Sequence, residues 1–241
     1  MNKLFTSILF LVFFLSNAVS QDDSKNNWQV LIPEIGLDGW HYYQDKKNNK
    51  TGWSNKKGIL TFNSSFKKGN GDNSLVTDKQ FTNFKIYFEW KVDSLTNSGF
   101  MWGVKEGDQY EEPYVTGPEI QIMDNEYPDG VKAGSLYGMV YPEEDMSKPV
   151  GEWNSYLITI DYKNNFGNVI FNGKEVVNFP VEGEEWDSMV AGTKFANCDE
   201  KPWDNCEFGK FKSGKICLQD HGGSIYFRNN KKCRRHEKFK W

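Results

Sequence analysis

The chain has few cysteines, histidines and prolines, and only one long apolar run. There are four Cys, three His and eight Pro among 241 residues, and the first cysteine is Cys198. The sequence has no tight C-x₂-C pair, no EF-hand loop and no His-x₃-His pattern, so the common zinc and calcium motifs are excluded. It has no internal repeat. The one apolar run lies at the start of the chain, which argues against a protein with several membrane helices.

Residues 1–20 predict an export signal. Lys3 supplies a positive start, residues 4–15 are largely apolar, and Ala18-Val19-Ser20 places small residues at the cleavage positions. The apolar run is short for a membrane span. No cysteine lies near the cleavage site, so we expect no lipid anchor. We therefore expect a single domain over residues 21–241, secreted or periplasmic, with no membrane span.

The net charge argues against nucleic acid as a partner, and the aromatic content is compatible with a carbohydrate ligand. The net charge is −4, and the basic run at residues 231–235 is read as a solvated last strand or tail. Aromatic residues make up 16% of the chain, with nine Trp. Such rings fill the core of a sandwich, but they also form platforms on which sugars stack. We expect the protein to be a monomer.

The cysteines predict disulfides, because an exported protein meets an oxidising environment. Cys198 and Cys206 bracket a short loop and would form a local bridge. Cys217 and Cys233 would then join neighbouring C-terminal strands. Four cysteines allow three pairings, and the sequence does not choose among them.

Short alternating segments with turns at close spacing predict an all-β fold. Residues 81–92 alternate apolar and polar side chains, as a strand with one buried face does. Asn172-Gly173 predicts a tight hairpin turn. We also expect a hairpin of residues 215–220 and 224–231 around His221. About eleven strands, with residues 186–197 as the one short helix or crossover, predict a sandwich or jelly roll.

Residues 118–124 are the strongest candidate for a functional strand. Alternation puts Ile120 and Ile122 on one face and Glu119 and Gln121 on the other, as a groove-lining strand requires. Asp124 shares the polar face only if a bulge intervenes. The spacing Glu-x-Gln-x-x-Asp resembles the Glu-x-Asp-x-x-Glu signature of jelly-roll glucanases, with two changes. A solvated Glu119 and a turn-forming Asp124 remain alternatives.

Other candidates lie along the rest of the chain. His221 is a possible proton carrier, or else a turn residue. Arg228 lies in mid-strand and faces either water or a groove. Trp102, Tyr137 and Tyr141 are candidates for sugar stacking or for the core.

A divalent metal is possible through Glu119, Asp124 and His221, which are hard or borderline ligands. No cofactor is otherwise predicted.

Several segments in a fixed order resemble one family, the secreted bacterial 3-keto-disaccharide hydrolase domains of the concanavalin A-like/LamG-like glucanase superfamily. The resemblance extends over most of the chain beyond residue 20 and rests on an ordered set of motifs. These are Asn97-Ser98-Gly99, Glu119-Ile-Gln121-Ile-Met-Asp124, Tyr137-Gly138, Glu152-Trp153-Asn154, Asn172-Gly173, Ile216-Cys-Leu218-Gln219-Asp220-His221-Gly222 and Phe227-Arg228-Asn229.

The resemblance implies a concanavalin A-like jelly-roll β-sandwich of two antiparallel sheets that acts on 3-keto-glycosides. Elimination next to a ketone needs a base, an acid and an electrophile, but no second carboxylate as nucleophile. The implied roles are Glu119 as base or metal ligand and His221 as proton shuttle or second metal ligand. Gln121, Gln219 and Arg228 would position the sugar, and Asn97 would shape the groove.

Three other functions stay open at this point. One is a retaining glucanase that uses Glu119 and Asp124 as its pair of carboxylates. Another is a carbohydrate-binding module without catalysis, since the fold does not fix the function. The third is an interaction domain with no sugar ligand.

Overall fold

A computed structural model describes residues 28–69, 72–128 and 130–233, with the side chains of residues 230–233 left undescribed. The predicted leader at 1–20 and the basic residues 234 and 235 lie outside this range. None of the helices in the described part is both long and apolar enough to cross a membrane.

The described residues include thirteen strands in two antiparallel sheets, which confirms the predicted jelly-roll sandwich. The larger sheet has the order β11-β10-β9-β6-β13-β4-β3, with β1 also paired to β13, and the smaller has the order β2-β5-β12-β7-β8. The strands are β1 Trp28–Val30, β2 Trp40–Tyr42, β3 Trp53–Lys56, β4 Ile59–Asn63, β5 Leu75–Thr77, β6 Phe84–Val92, β7 Asn97–Val104, β8 Glu119–Met123, β9 Asn154–Asp161, β10 Phe166–Phe171, β11 Lys174–Phe179, β12 Lys215–Leu218 and β13 Ser224–Cys233. One α-helix, α1, spans Gly183–Ala191.

The core lies between the two sheets and is rich in aromatic rings. Strand β6 alternates buried and half-buried side chains along its whole length, as its sequence predicts. From β6, Phe88 meets Phe100 of β7 with ring centroids 5.5 Å apart, so the ring pair joins the two sheets. Burial of this aromatic core supplies the main driving force for the fold.

The tight turn at Asn172-Gly173 joins β10 to β11 in an antiparallel hairpin, as predicted. Both residues have positive φ, 48° for Asn172 and 88° for Gly173. A two-residue turn of this kind needs left-handed backbone at both positions, which Asn and Gly adopt at low cost.

The hairpin expected around His221 is wrong. Strand β12 pairs with β5 and β7 in the smaller sheet, whereas β13 pairs with β4 and β6 in the larger one. The segment around His221 therefore passes from one sheet to the other instead of closing a ladder. The backbone at Gly223 lies tightly against Thr96 in this segment. A Cβ atom at position 223 would lie 2.9 Å from the Cβ atom of Thr96, which is too close, so glycine fits there and a larger residue does not.

One of the expected disulfides is present. Cys198 and Cys206 are bonded, as the short loop between them suggested. The pairing of Cys217 with Cys233 is wrong, because Cys217 is a buried free thiol in β12 and Cys233 lies in β13 of the other sheet. Burial raises the pKa of the Cys217 thiol well above its usual range.

Candidate active site

The floor of the candidate site is the face of the smaller sheet that points away from the core. Ile120 and Ile122 are fully buried in the core, so Glu119 and Gln121 point to the other face of β8. Met101 lies opposite Glu119, and Cys217 lies opposite Met101. The opposite orientation of the isoleucines and of Glu119 and Gln121 confirms the alternation predicted for strand β8.

Gly99 provides the space that the Glu119 side chain occupies. A Cβ atom on Gly99 would lie 2.6 Å from Cδ and 2.7 Å from Cγ of Glu119, closer than real contacts allow. The Glu119 side chain therefore lies across the backbone of β7, and it is only 8% exposed. This contact gives a physical reason for glycine in the Asn97-Ser98-Gly99 segment.

A short extended segment holds Tyr137 beside Glu119. The Tyr137 backbone N–H donates to the Glu119 carbonyl oxygen at 3.0 Å, and the Gln121 N–H donates to the Ser135 carbonyl at 2.9 Å. Gly138, with φ of 77°, turns the chain directly after Tyr137.

Backbone and side-chain bonds fix the segment that carries His221. The Gln219 N–H donates to the Gly99 carbonyl at 2.9 Å, and Ser98 Oγ donates to the Gln219 carbonyl at 2.8 Å. Next to them, the buried carboxylate of Asp220 pairs with Lys67 at 2.5 Å. His221 follows directly and is exposed at the rim of the smaller sheet.

The opposite wall comes from the segment after helix α1. Phe195 stacks on Phe208 with ring centroids 3.9 Å apart and contacts Trp203 at 5.7 Å. Trp203 lies within the loop that the Cys198–Cys206 disulfide closes. Its ring also meets Tyr114, at 6.1 Å between centroids.

Floor and wall enclose a cavity of about 160 Å³. Four residues singled out from the sequence meet there: Glu119, Tyr137, Gln219 and His221. Sequence reasoning missed the others, which are Tyr114, Gly117, Lys194, Phe195, Trp203 and Phe208. A signal was present for Trp203 alone, as a large aromatic ring in a polar loop between two cysteines.

Asn97 and Gln121 do not line this cavity, and their side chains bind each other. Gln121 Nε2 donates to Asn97 Oδ1 at 2.5 Å and to the Ser98 carbonyl at 2.9 Å. Both side chains are buried. Their first role is to hold the β7 and β8 ends together, and their contact with a sugar stays a prediction.

Asp124 does not reach the cavity. Its Oδ2 accepts from the Leu95 N–H at 2.8 Å and its Oδ1 from the Glu126 N–H at 3.1 Å. It is therefore the turn-forming residue that the sequence left as an alternative.

Three further predicted sugar contacts lie away from this cavity. Trp102 is 2% exposed and stacks on Phe179 in the core, because it lies two positions after the core residue Phe100. Arg228 lies on β13 of the larger sheet, where it pairs with Glu89 at 2.5 Å and covers the Trp153 ring. It is thus on the other sheet from Glu119. Tyr141 is half exposed and lines a separate depression.

A pair of carboxyl groups lies close to the cavity wall. Burial and the neighbouring Asp72 carboxyl raise the pKa of Glu112 to about 7. Burial also raises the pKa of Asp72, with the Asp220 charge adding to the effect. The same surroundings raise the pKa of Tyr114 to about 12, so its phenol stays protonated at neutral pH.

Glu119 and His221 stay predicted metal ligands. Among the described residues, no group of three or more His, Cys, Asp or Glu side chains is arranged to hold a metal ion. The two side chains line one cavity, but a third protein ligand does not join them there.

A larger cavity of about 570 Å³ lies around His41 and Glu106. The two His41 ring nitrogens lie 2.6 Å from an Asp78 oxygen and 3.0 Å from a Glu106 oxygen. Both nitrogens of His41 therefore have carboxylate partners, and none of the candidate site residues named from the sequence lines this cavity.

Comparison with known proteins decides the family. Residues 27–231 match the profile of the 3-keto-alpha-glucoside-1,2-lyase-like domain. The chain belongs to this family. A Bacteroides thetaiotaomicron protein named 3-keto-disaccharide hydrolase is 31% identical over 221 residues, which cover 80% of this chain and 73% of that protein. Together these matches make the protein a glycoside-cleaving enzyme.

Solved structures agree with the family assignment. A Parabacteroides distasonis crystal structure, described as a candidate glycosyl hydrolase, superposes with a TM-score of 0.76 at 27% identity. The alignment covers 91% of this chain and 99% of that one. A Bacillus subtilis protein with a galectin-like fold superposes with a TM-score of 0.50 at 9% identity, covering 86% and 96% of the two chains, which shows the shared fold alone.

Proposed function

We propose that this enzyme cleaves glycosides already oxidised to a ketone at C3, by elimination followed by hydration. The observation that carries the proposal is the meeting of Glu119 and His221 in one cavity with Gln219 and Tyr137. Carboxylate and imidazole together provide a base and an acid within one site. The 3-keto-disaccharide hydrolase relative supports the substrate class.

The proposed reaction has two stages that balance as a hydrolysis. In the first, the Glu119 carboxylate takes the C2 proton, which the C3 ketone acidifies, and the electron pair forms an enolate. The enolate then expels the glycosidic oxygen from C1, and this oxygen takes a proton from His221. In the second stage, water adds to C1 of the resulting enone and a proton returns to C2.

The donor set of the cavity favours elimination over a two-carboxylate displacement. A retaining glycosidase places two carboxyl groups about 5 Å apart on either side of the scissile bond. Among the described residues that line the cavity, Glu119 is the sole carboxylate. A glucanase-like site would need Asp124 as the second carboxylate. The Asp124 carboxylate instead accepts hydrogen bonds from the backbone N–H groups of Leu95 and Glu126.

The size of the cavity favours a single sugar ring as the bound unit. About 160 Å³ is small compared with the roughly 300–1,000 Å³ of typical ligand pockets. The faces of Tyr137 and Trp203 provide apolar surfaces against which a ring stacks. The leaving group would then extend towards solvent past the exposed His221.

The test compares a 3-keto-disaccharide with its unoxidised parent and with laminarin, using the wild type, Glu119→Gln and His221→Ala. Loss of the base or acid should lower kcat on the ketone by about 10²–10⁴-fold. Glu143→Gln, an exposed carboxylate on another surface, is the matched control and should retain full activity. Circular dichroism and thermal melting check that each variant folds.

Running the reaction in D₂O distinguishes elimination from displacement. Elimination and hydration place deuterium at C2 of the product, whereas displacement at C1 keeps the original C2 proton. The rate of non-enzymatic exchange is subtracted. Turnover of laminarin, C2 without deuterium, or saturable sugar binding with no turnover of any ketone would each contradict the proposal.

We also propose that the protein is exported after removal of residues 1–20. The support is the charged start, the apolar run and the small residues before position 21. Fractionation of the producing cells, followed by N-terminal sequencing, tests this. A chain that keeps its first residues and stays in the cytoplasm contradicts it.

A further inference from the structure

Lys194 brings a positive charge to the cavity that holds Glu119 and His221. It is the sole Lys or Arg among the described residues lining that cavity. Its Nζ lies 3.2 Å from the Tyr137 hydroxyl and 4.8 Å from the centre of the Tyr137 ring. The rings of Trp203 and Phe195 lie 5.5 and 5.6 Å from the same atom.

The position of Lys194 is fixed by a short structured segment. Lys194 opens the 3₁₀ turn Lys194–Ala196, and Thr193 Oγ1 accepts from the Phe195 N–H at 3.1 Å to cap it. Phe195 is buried against Phe208. The ammonium group is thus held by aromatic rings through cation–π attraction, although it is on the exposed side of the segment.

The proposed elimination needs an electrophile at the ketone oxygen. When Glu119 removes the C2 proton, the electron pair moves into the C2–C3 bond and negative charge develops on the C3 oxygen. A carboxylate cannot stabilise this charge, whereas the Lys194 ammonium group, which lines the same cavity, can. A fixed cation or a preorganised pair of donors lowers the energy of such an oxyanion most effectively.

We propose that Lys194, with the Tyr137 hydroxyl as its partner, binds the C3 oxygen and stabilises the enolate; this inference rests on the proposed function. Lysine has three N–H donors, and Tyr137 accepts one of them. At least one donor is therefore available to the substrate. No covalent bond forms to Lys194, and its proton stays on nitrogen while the enolate collapses to expel the leaving group.

The test uses Lys194→Met and Lys194→Arg with a 3-keto-disaccharide. Removing the charge should lower kcat by about 10²–10³-fold, as removal of an oxyanion donor does. The dissociation constant of the unoxidised parent, which has no ketone, should change by less than about threefold. Lys194→Arg keeps the charge in a different shape and should recover part of kcat. Lys163→Met, an exposed lysine elsewhere, should match the wild type.

A ketone without a leaving group isolates the enolisation step. The 3-keto derivative of 1,5-anhydroglucitol has a C2 proton but no glycosidic oxygen to expel. The wild type should catalyse deuterium exchange at its C2 position, and Lys194→Met should lose this exchange by about the same factor as kcat. A role in sugar binding alone would leave the exchange rate at saturation unchanged.

Several outcomes would overturn the inference. A folded Lys194→Met variant with a kcat within about fivefold of the wild type would do so. So would a change confined to KM, or trapping of a covalent adduct on Lys194 by cyanoborohydride. If the wild type itself turns over no 3-keto-glycoside, the proposed function fails instead, so the two failures are distinguishable.

Discussion

The Glu119 side chain occupies the space that a Cβ atom on Gly99 would fill. Strand β7 thus has no side chain at the point where the proposed base crosses it. The register of β7 against β8, with Gly99 opposite Gln121 and Met101 opposite Glu119, sets this arrangement.

Gly99→Ala should displace the Glu119 carboxylate and lower kcat by about 10²-fold, because a shift of about 1 Å in a catalytic group has an effect of this size. The measurement is turnover of a 3-keto-disaccharide, with thermal melting to confirm the fold. Gly192→Ala is a control. Gly192 has φ of −81°, and a Cβ atom added there would lie 3.5 Å from its nearest neighbour, the Met189 carbonyl oxygen. Unchanged kcat in folded Gly99→Ala would contradict the assigned role of Glu119.

Glu112→Gln should stabilise the protein more at pH 8 than at pH 5. The folded-state pKa of Glu112 is raised to about 7, so between its ordinary pKa and 7 the folded protein holds more protons than the unfolded chain. Stability is therefore lost as pH rises through this window. The Gln side chain of the variant does not ionise, so the variant does not lose this stability as the pH rises.

Thermal melts of Glu112→Gln and the wild type at the two pH values measure the effect. Glu143→Gln, an exposed carboxylate, should show no such difference between pH 5 and pH 8. A Tm difference for Glu112→Gln that is the same at both pH values would argue against the raised pKa of Glu112.

Gln121→Glu should destabilise the protein at pH 8 and recover stability at pH 5. Gln121 Nε2 donates to the Ser98 carbonyl and to Asn97 Oδ1, and an ionised carboxylate cannot donate. Burial of this charge next to acceptor oxygens should raise the pKa of the new carboxyl. Urea denaturation at both pH values checks this, and equal stability at both would exclude the described hydrogen bonds.

Asp124→Ala should lower stability by about 1–3 kcal/mol, because it removes the acceptor of two part-buried hydrogen bonds, from the N–H groups of Leu95 and Glu126. Its kcat should stay within about twofold of the wild type, since Asp124 does not line the cavity. Asp124→Asn keeps one acceptor oxygen and should recover part of the stability. A large loss of kcat in a folded Asp124→Ala variant would favour the glucanase-like mechanism.

Alternation of apolar and polar residues along a strand predicted part of the candidate site. The period of two placed Ile120 in the core and Glu119 on the opposite face, and β8 has this arrangement. The same rule applied to Phe100 would have placed Trp102 in the core, where it lies. Arg228 shows the limit, because alternation orients a side chain within its own strand but does not assign the strand to a sheet.

Local chemistry in the sequence by itself determined the all-β class, the Asn172-Gly173 turn and the polar face of β8. Each of these depends on neighbours within a few residues. Only the tertiary structure decided that β12 and β13 belong to different sheets, that Cys198 pairs with Cys206 while Cys217 is a free thiol, and that Lys194 and Glu119 line one cavity. Strand pairing at long range is set by the burial of a shared core, which no local pattern encodes.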